Sequence, residues 1–149
     1  MMAIMLFATS VMADDIFVTA ELLNGRRNPN RRSEKEALYD CGDVLHTTGV
    51  WSKDHKWIEV EGGECPTVWV SIDYVSETLG TYFVENREYK QIKIRKSPVN
   101  GRVTGYLRKG KQLEIDRVVL GWGHCSLGWI DLSLVAEVFG DDYEGEVEQ

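Results

Sequence analysis

Short apolar runs separated by turn residues follow one another along the whole chain. Residues 57–61 alternate apolar with polar side chains, two glycines follow, and a second apolar run occupies residues 67–70. Two such runs with a glycine turn between them predict a β-hairpin. No segment keeps a helical period, and turn residues recur roughly every 8 to 12 positions. The pattern therefore predicts an all-β chain of small barrels or sandwiches.

The same order of patterns occurs twice in the sequence. Arg26 corresponds to Arg95, and Pro29 corresponds to Pro98. The corresponding segments are 22–29 and 91–98, 37–43 and 105–111, and 57–70 and 122–129. An internal repeat of this kind indicates tandem units. Each unit has roughly 60 residues, a size at which a domain is only marginally stable by itself.

Secondary structure is also predicted for the segments outside the hairpins. Strands are predicted at residues 16–20, 44–48 and 112–119, a loop at 22–30, and a helical turn at 71–75. The loop is predicted because Asn, Gly and Pro permit or fix the backbone geometry of turns.

The first thirteen residues contain no charge and precede Asp14 and Asp15. Val11 and Ala13 supply the small residues of a signal-peptidase site, although a positively charged leading region is missing. We expect residues 1–13 to be a signal-peptide-like segment, with a buried strand or helix as the alternative. No later stretch approaches the roughly 20 apolar residues that span a bilayer, so no membrane anchor is predicted.

Charge is distributed in blocks. The chain has a net charge of -7. Residues 14–80 contain 7 basic and 13 acidic side chains, residues 81–136 contain 10 and 5, and residues 137–149 contain none and 6. The overall acidity argues against a dedicated nucleic-acid binder. The basic second unit suggests either an anionic partner or docking against acidic neighbours.

Two short motifs occur at corresponding places in the repeats. Residues 23–29 have the pattern Leu-Asn-x-Arg-x-x-Pro, and residues 128–130 read Gly-Trp-Ile. Residues 92–98 fit the first motif loosely, and residues 68–70 lack the glycine of the second. In this order the motifs resemble the bacterial SH3-like domain family, often called SH3b. The resemblance extends over nearly all of residues 16–135.

The resemblance implies an all-β protein of two small SH3-like β-barrels in tandem, each with a short helical turn. The implied segments are a signal-peptide-like segment at 1–13, SH3-like domains at 14–78 and 79–138, and an acidic disordered tail at 139–149. Members of the family are commonly exported, and many hold a protein to peptidoglycan or other envelope material. A secreted or envelope-associated bacterial protein is therefore expected, and the sequence assigns no oligomeric state.

Two cysteines lie in turns that are neighbours in SH3-like barrels. The resemblance therefore implies a disulfide between Cys41 and Cys65, with two free thiols as the alternative. Cys125 corresponds to Val60 in the repeat, which predicts a small buried apolar side chain.

Candidate catalytic and metal sites are weak. A cysteine nucleophile needs a base within hydrogen-bond reach, whereas adjacent residues on a strand, such as His124 and Cys125, point to opposite faces. No Cys or His pair has zinc-ligand spacing, and the acidic tail lacks the spacing of a calcium loop. We therefore expect no enzyme activity, no metal and no cofactor.

Aromatic and basic side chains carry the functional hypothesis. Aromatic rings stack on sugar faces and peptide side chains, and basic groups bind phosphates or carboxylates. The candidate ligand-binding residues are Trp51, Trp57, Tyr74, Trp122, Arg108, Lys109 and Lys111. Trp51 is expected to be the most exposed of these tryptophans, whereas Trp69 and Trp129 are expected in the core. Arg26 and Arg95 are expected to hold the opening loops by hydrogen bonds.

These observations predict an exported, non-catalytic protein that binds peptidoglycan or another envelope polymer. The alternative is a protein-interaction or assembly module that binds a polypeptide in a groove or at a sheet edge.

Overall fold

The computed structural model of the protein describes residues 15–139. The predicted signal-peptide-like segment and the tail beyond residue 139 lie outside the described residues. The chain divides into two compact units between Thr78 and Leu79.

The described residues form fifteen β-strands and two 3-10 helices, which confirms the all-β prediction. The strands of the first unit are β1 (Asp15–Val18), β2 (Leu22–Arg26), β3 (Lys35–Asp40), β4 (Val44–Trp51), β5 (Trp57–Gly62), β6 (Cys65–Ser71) and β7 (Val75–Ser76). Those of the second unit are β8 (Tyr82–Glu85), β9 (Gln91–Arg95), β10 (Val103–Arg108), β11 (Gln112–Ile115), β12 (Arg117–Val119), β13 (Trp122–Cys125), β14 (Gly128–Asp131) and β15 (Ala136–Glu137). The 3-10 helices span Ile72–Tyr74 and Leu132–Leu134, and the first lies at the predicted helical turn.

Both units have the same order of strands. The first unit is one seven-stranded sheet in the order β3-β2-β6-β5-β4-β1-β7. The second unit has a five-stranded sheet, β10-β9-β14-β13-β12, and a three-stranded sheet, β11-β8-β15. The two orders coincide when β11 and β12 together take the place of β4. Among the described residues, these sheets do not close into barrels.

Two predicted segments differ from the structure. Residues 22–26, predicted as part of a loop, form β2, because they pair along their length with β3. The strand predicted at 112–119 is interrupted at Asp116, whose N–H donates to the His124 carbonyl oxygen at 3.0 Å. The pairing with β8 therefore ends at Ile115, and the pairing with β13 begins at Arg117.

The pairing register shifts at one place in both the β2–β3 and the β9–β10 strand pair. The register of β2 with β3 shifts between Gly25 and Arg26, and that of β9 with β10 shifts between Val103 and Gly105. On the other side of each strand, Arg26 of β2 lies opposite Trp69 of β6, and Arg95 of β9 lies opposite Trp129 of β14. The repeat therefore extends to individual backbone positions.

The cores of the two units are filled by different side chains at corresponding positions. Gly123 corresponds to Ile58, and a Cβ atom added at Gly123 would lie 2.7 Å from Leu132 Cδ2 and 3.1 Å from Ile115. Ile115 in turn corresponds to Thr47. The larger side chain is thus on β5 in the first unit and on β11 in the second, which conserves volume.

A second difference between the units involves β2 and β6. A Cβ atom added at Gly25 would lie 2.7 Å from Val68 Cγ2. The corresponding residues of the second unit are Ile94, which is fully buried, and Gly128. The glycine expected in the closing strand of the first unit is therefore absent because Gly25, on the neighbouring strand, makes room for Val68.

The apolar cluster of the second unit includes Ile94, Ile115, Cys125 and Ile130. Cys125 is buried there, as predicted from its correspondence with Val60. Burial raises the pKa of the Cys125 thiol above its ordinary value of 9.0, because the charged thiolate loses solvation.

Trp129 is also buried, with 3% of its surface exposed, but it lies outside the cluster that contains Ile94 and Ile130. It neighbours Ile130 on β14, so the two side chains point to opposite faces of the sheet. Its ring instead packs edge-on against the His124 ring, with 5.1 Å between the ring centroids. The Arg117 guanidinium carbon lies over the Trp129 ring, 5.3 Å from its centroid. Trp69, expected in the core, is only half-buried. The expected burial is therefore confirmed for Trp129 and not for Trp69.

Candidate binding site

Each unit contains a surface groove beside a tryptophan, which begins β5 in the first unit and β13 in the second. The groove of the first unit has a volume of about 210 Å³ and is lined by Leu22, Leu23, Asn24, Arg26, Arg31, Trp57, Ser71 and Tyr74. The groove of the second unit has a volume of about 390 Å³ and is lined by Tyr89, Gln91, Ile92, Lys93, Arg95, Val99, Trp122, Asp131 and Leu134. We call them the Trp57 groove and the Trp122 groove.

The two grooves are built from the same backbone positions. Trp57 lies opposite Ser71 in the β5–β6 ladder, and Trp122 lies opposite Asp131 in the β13–β14 ladder. The corresponding pairs of lining residues are Leu22 and Gln91, Leu23 and Ile92, Asn24 and Lys93, Arg26 and Arg95, Trp57 and Trp122, Ser71 and Asp131, and Tyr74 and Leu134. The grooves therefore share their frame and differ in their chemistry.

A backbone hydrogen bond places each 3-10 helix against its tryptophan. The Ile72 N–H donates to the Lys56 carbonyl at 3.1 Å, and the Leu132 N–H donates to the Gly121 carbonyl at 3.0 Å. Each accepting residue directly precedes the groove tryptophan. This contact brings Tyr74 to the Trp57 groove and Leu134 to the Trp122 groove.

The residue before each helix acts as its N-cap and also lines the groove. Ser71 Oγ accepts a hydrogen bond from the Asp73 N–H at 3.2 Å, and Asp131 Oδ1 accepts one from the Ser133 N–H at 2.9 Å. Side-chain oxygens at this position satisfy the free N–H groups at a helix start. The Asp131 carboxylate also adds a negative charge that the Trp57 groove lacks.

One arginine in each groove holds the opening loop. Arg26 Nη1 donates to the Ser33 carbonyl at 2.9 Å, and Arg95 Nη1 donates to the Gly101 carbonyl at 3.0 Å. The predicted structural role of both arginines is confirmed. The loop that carries Arg31, or Val99 in the second unit, is thereby fixed beside the groove.

The loop before Trp57 is organised by a carboxylate. Asp54 Oδ1 accepts hydrogen bonds from Ser52 Oγ at 2.7 Å and from the Lys56 N–H at 3.0 Å. Partial burial by itself would raise the Asp54 pKa, but these hydrogen bonds and the Lys56 charge outweigh it and lower the pKa. Ser52 Oγ also accepts from the Trp57 N–H at 3.1 Å, so the loop helps to position the groove tryptophan.

The predicted site residues are only partly brought together. Trp57 and Tyr74 share one groove, and Trp122 lines the other. Trp51 lies outside both grooves and is half-buried, with its ring 5.5 Å from that of His55. Exposed basic side chains at the turn between β10 and β11 also lie outside the groove lining; they are Arg108, Lys109 and Lys111.

Most groove residues were not predicted as ligand-binding; they include Asn24, Arg31, Ser71, Tyr89, Lys93, Val99, Asp131 and Leu134. The repeat contained a usable signal for two of them. Leu134 occupies the position of Tyr74, and Asp131 occupies that of Ser71. Residues facing a groove from neighbouring strands have no such signal, because strand pairing brings together positions that are distant in sequence.

The predicted disulfide is not formed, since Cys41 is a free, exposed thiol with Sγ 3.8 Å from the Thr19 carbonyl oxygen. The turn that carries Cys41 is hydrogen-bonded toward β1, through Gly42 N–H and the Val18 carbonyl. Cys65 instead begins β6, on the far side of β5 and β4 in the sheet. The disulfide that the resemblance implies is therefore not found.

His124 does not approach Cys125. His124 Nδ1 lies 2.7 Å from Asp116 Oδ1, on the face that Trp129 shares, whereas Cys125 belongs to the core. Residues 15–139 contain no group of three or more Cys, His, Asp or Glu side chains arranged to hold a metal ion. Within the same residues, no helix has the length and apolar character needed to cross a membrane.

The sequence matches no protein-family model and no curated protein. Among solved structures, it is similar to NlpC1 and NlpC2 from Trichomonas vaginalis, each at 15% identity and a TM-score of 0.34. The alignments cover 82% and 86% of this chain but 45% and 51% of theirs, so the chain spans about half the length of those proteins. A likeness at this TM-score transfers neither fold nor activity to this chain.

Proposed function

We propose that this protein is a non-catalytic binding module made of two SH3-like units, each of which holds ligand in its tryptophan groove. The observation that carries the proposal is the repetition of the groove: seven lining positions recur in the same register. The strand order and the 3-10 helix before the last strand, present in both units, support the SH3-like assignment.

The groove chemistry favours an anionic glycan-peptide, and we propose peptidoglycan or a related envelope polymer. A tryptophan forms one wall of each groove, and flat indole rings stack on sugar faces and peptide side chains. Arg26 and Arg31 make the Trp57 groove cationic, while Lys93 and Arg95 outweigh Asp131 in the Trp122 groove. Guanidinium and ammonium groups bind carboxylates such as those of stem peptides.

The two grooves differ in volume, which supports different binding roles for the two units. The Trp122 groove, at about 390 Å³, falls within the range of roughly 300–1,000 Å³ typical of small-ligand sites, whereas the Trp57 groove, at about 210 Å³, is smaller. Two sites on one chain raise the overall affinity for a polymer, because the second contact becomes intramolecular. The proposal includes export to the cell envelope, which rests on the sequence of residues 1–13 alone.

The second candidate function is binding of a polypeptide in the same grooves. The apolar side chains of Val99 and Leu134 in the Trp122 groove favour it, because peptide side chains pack against such surfaces. In this case a soluble peptide, and not a glycan strand, would be retained.

Co-sedimentation with purified peptidoglycan tests the proposal. We expect the wild-type protein to sediment with the polymer at low salt, and Trp57→Ala and Trp122→Ala each to reduce the bound fraction. The double variant is expected to lose nearly all binding. Nucleobases that stack on aromatic side chains contribute about 1–3 kcal/mol, and a stack of similar strength in each groove corresponds to roughly 5- to 150-fold in affinity.

Trp51→Ala is the matched control, since it removes a half-buried tryptophan of the first unit that lies outside the groove. Arg108→Glu reports separately on the basic turn between β10 and β11. Absence of wild-type sedimentation at low salt would overturn the envelope proposal. An equal loss for the Trp51 and Trp57 variants, with both folded by circular dichroism, would reject the groove as the site.

A further inference from the structure

Corresponding turns of the two units have the same backbone and opposite charges. In the turn from β3 to β4, the Gly42 N–H donates to the Val18 carbonyl at 2.8 Å; in the turn from β10 to β11, the Gly110 N–H donates to the Asn86 carbonyl at 2.7 Å. Both glycines have positive φ, 91° and 82°. Because these and the neighbouring hydrogen bonds are equivalent in the two units, the following residues occupy corresponding positions: Glu21 and Lys90, Asp40 and Arg108, Cys41 and Lys109, and Asp43 and Lys111.

An apolar surface lies beside each turn. Leu22 is 57% exposed and lies directly opposite Asp40, and Leu38 on the same face is 63% exposed. In the second unit, Tyr106 is 49% exposed and lies opposite Lys93. The acidic face is defined as Glu21, Leu22, Leu38, Asp40 and Asp43, and the basic face as Lys90, Lys93, Tyr106, Arg108 and Lys111. Lys35 and Glu36, of opposite charge, border the two leucines of the acidic face.

We propose that the acidic face of one copy of the chain binds the basic face of a second copy. The two faces have complementary charges around an apolar centre, leucine side chains on one and a tyrosine ring on the other. Aromatic and aliphatic side chains supply contact area, and the surrounding charges orient the partners and reject wrong ones. The basic face of a second copy thereby covers the exposed Leu22 and Leu38.

The contact is head-to-tail, because each copy offers one face of each kind. A heterologous contact of this sort produces rings when its rotation closes and open chains when it does not. Since the charges are exposed, each pair contributes little, and the association is expected to weaken as salt shortens the screening length. The faces share Leu22 and Lys93 with the two grooves, but the inference rests on the exposed charges and not on the proposed polymer binding.

Exchange of residues between the two faces tests the inference by sedimentation velocity. One variant carries Glu21→Lys and Asp40→Arg, and another carries Lys90→Glu and Arg108→Asp. Each is expected to raise the Kd of self-association by about tenfold or more, since reversal replaces attraction with repulsion. The chain with all four substitutions has the wild-type composition and is expected to associate again.

A mixture of the two reversal variants is expected to form complexes that neither forms alone, which only contact between chains can produce. The control is Glu61→Lys with Glu64→Arg at the β5–β6 hairpin, which raises the net charge by the same amount as Glu21→Lys with Asp40→Arg and is expected to leave association unchanged. A wild-type protein that stays monomeric at low salt up to its solubility limit would overturn the inference. Association that survives both reversals would overturn it as well.

Discussion

The two units of this chain have the same backbone plan and reach it with different side chains. Where the first unit uses Ile58 and Thr47, the second uses Gly123 and Ile115. The comparison teaches that volume and register, and not residue identity, are what the fold requires at these positions.

The units differ more sharply at the surface than in the core. The same turn carries Asp40 and Asp43 in the first unit and Arg108 and Lys111 in the second, on equivalent hydrogen bonds. Exposed side chains contribute little to folding, so the turn accepts either charge at small energetic cost. Sequence differences of this kind are therefore free to determine partners.

The largest expected effect concerns the glycine that the first unit replaces with Val68. Gly128 has φ of 144°, and an added Cβ atom would overlap the Arg95 carbonyl oxygen. Gly128→Ala is therefore expected to destabilise the second unit by about 3 kcal/mol or more. Hydrogen exchange measures this unit separately, because two units need not unfold in one step.

Gly110→Ala is the control for this substitution. Gly110 also has positive φ, 82°, but nothing lies within 4 Å of the added Cβ atom. Its expected cost is about 1 kcal/mol. Equal costs for the two variants would mean that the close approach of Gly128 to Arg95 is not the cause.

The next effect concerns Asn86, which occupies the position of Val18 and is fully buried. Its Nδ2 donates to the carbonyls of Leu107 at 2.8 Å and Tyr89 at 2.9 Å, and its Oδ1 accepts from the Tyr89 N–H at 3.0 Å. Asn86→Ala is expected to cost about 2–3 kcal/mol because it leaves buried backbone groups unpaired. Urea unfolding measures it, and the exposed Asn100→Ala, expected within about 0.5 kcal/mol of wild type, is the control.

A smaller effect tests the exchanged core. Gly123→Ala is expected to cost about 1–2 kcal/mol through crowding against Ile115 and Leu132. Adding Ile115→Val should recover part of this loss, with a coupling of about 1 kcal/mol in a double-mutant cycle. Strictly additive costs would show that the two positions do not compensate each other.

The smallest effect is the alkaline response of Cys125, where the first unit has Val60. The folded-state pKa of the thiol is raised above 9.0 by burial, so the unfolded chain loses this proton at lower pH than the folded one. Stability from this group is full below pH 9.0 and falls as the pH rises toward the folded-state pKa. Cys125→Val should flatten the stability profile above that pH, and an unchanged slope in urea titrations would contradict the assignment.

Much of the fold could be predicted from local patterns, because turn residues and alternating side chains report on strands directly. The helical turn after Ser71, the hairpin from Trp57 and the buried position of Cys125 are examples. β2 was missed because Asn24 and Gly25, which favour turns, are held extended by pairing with β3 and β6. Long-range pairing thus overrode the local preference.

By itself, the sequence determined an all-β chain with an internal repeat and the correspondence of Trp57 with Trp122, since periodicity and repetition are properties of neighbouring residues. Only the tertiary structure decided which side chains share a groove and that Cys41 is a free, exposed thiol. It also decided that Trp129 is buried under Arg117, outside the cluster that contains Ile94 and Ile130. These outcomes depend on which strands become neighbours and which faces they cover, and that is settled by packing across the whole sheet.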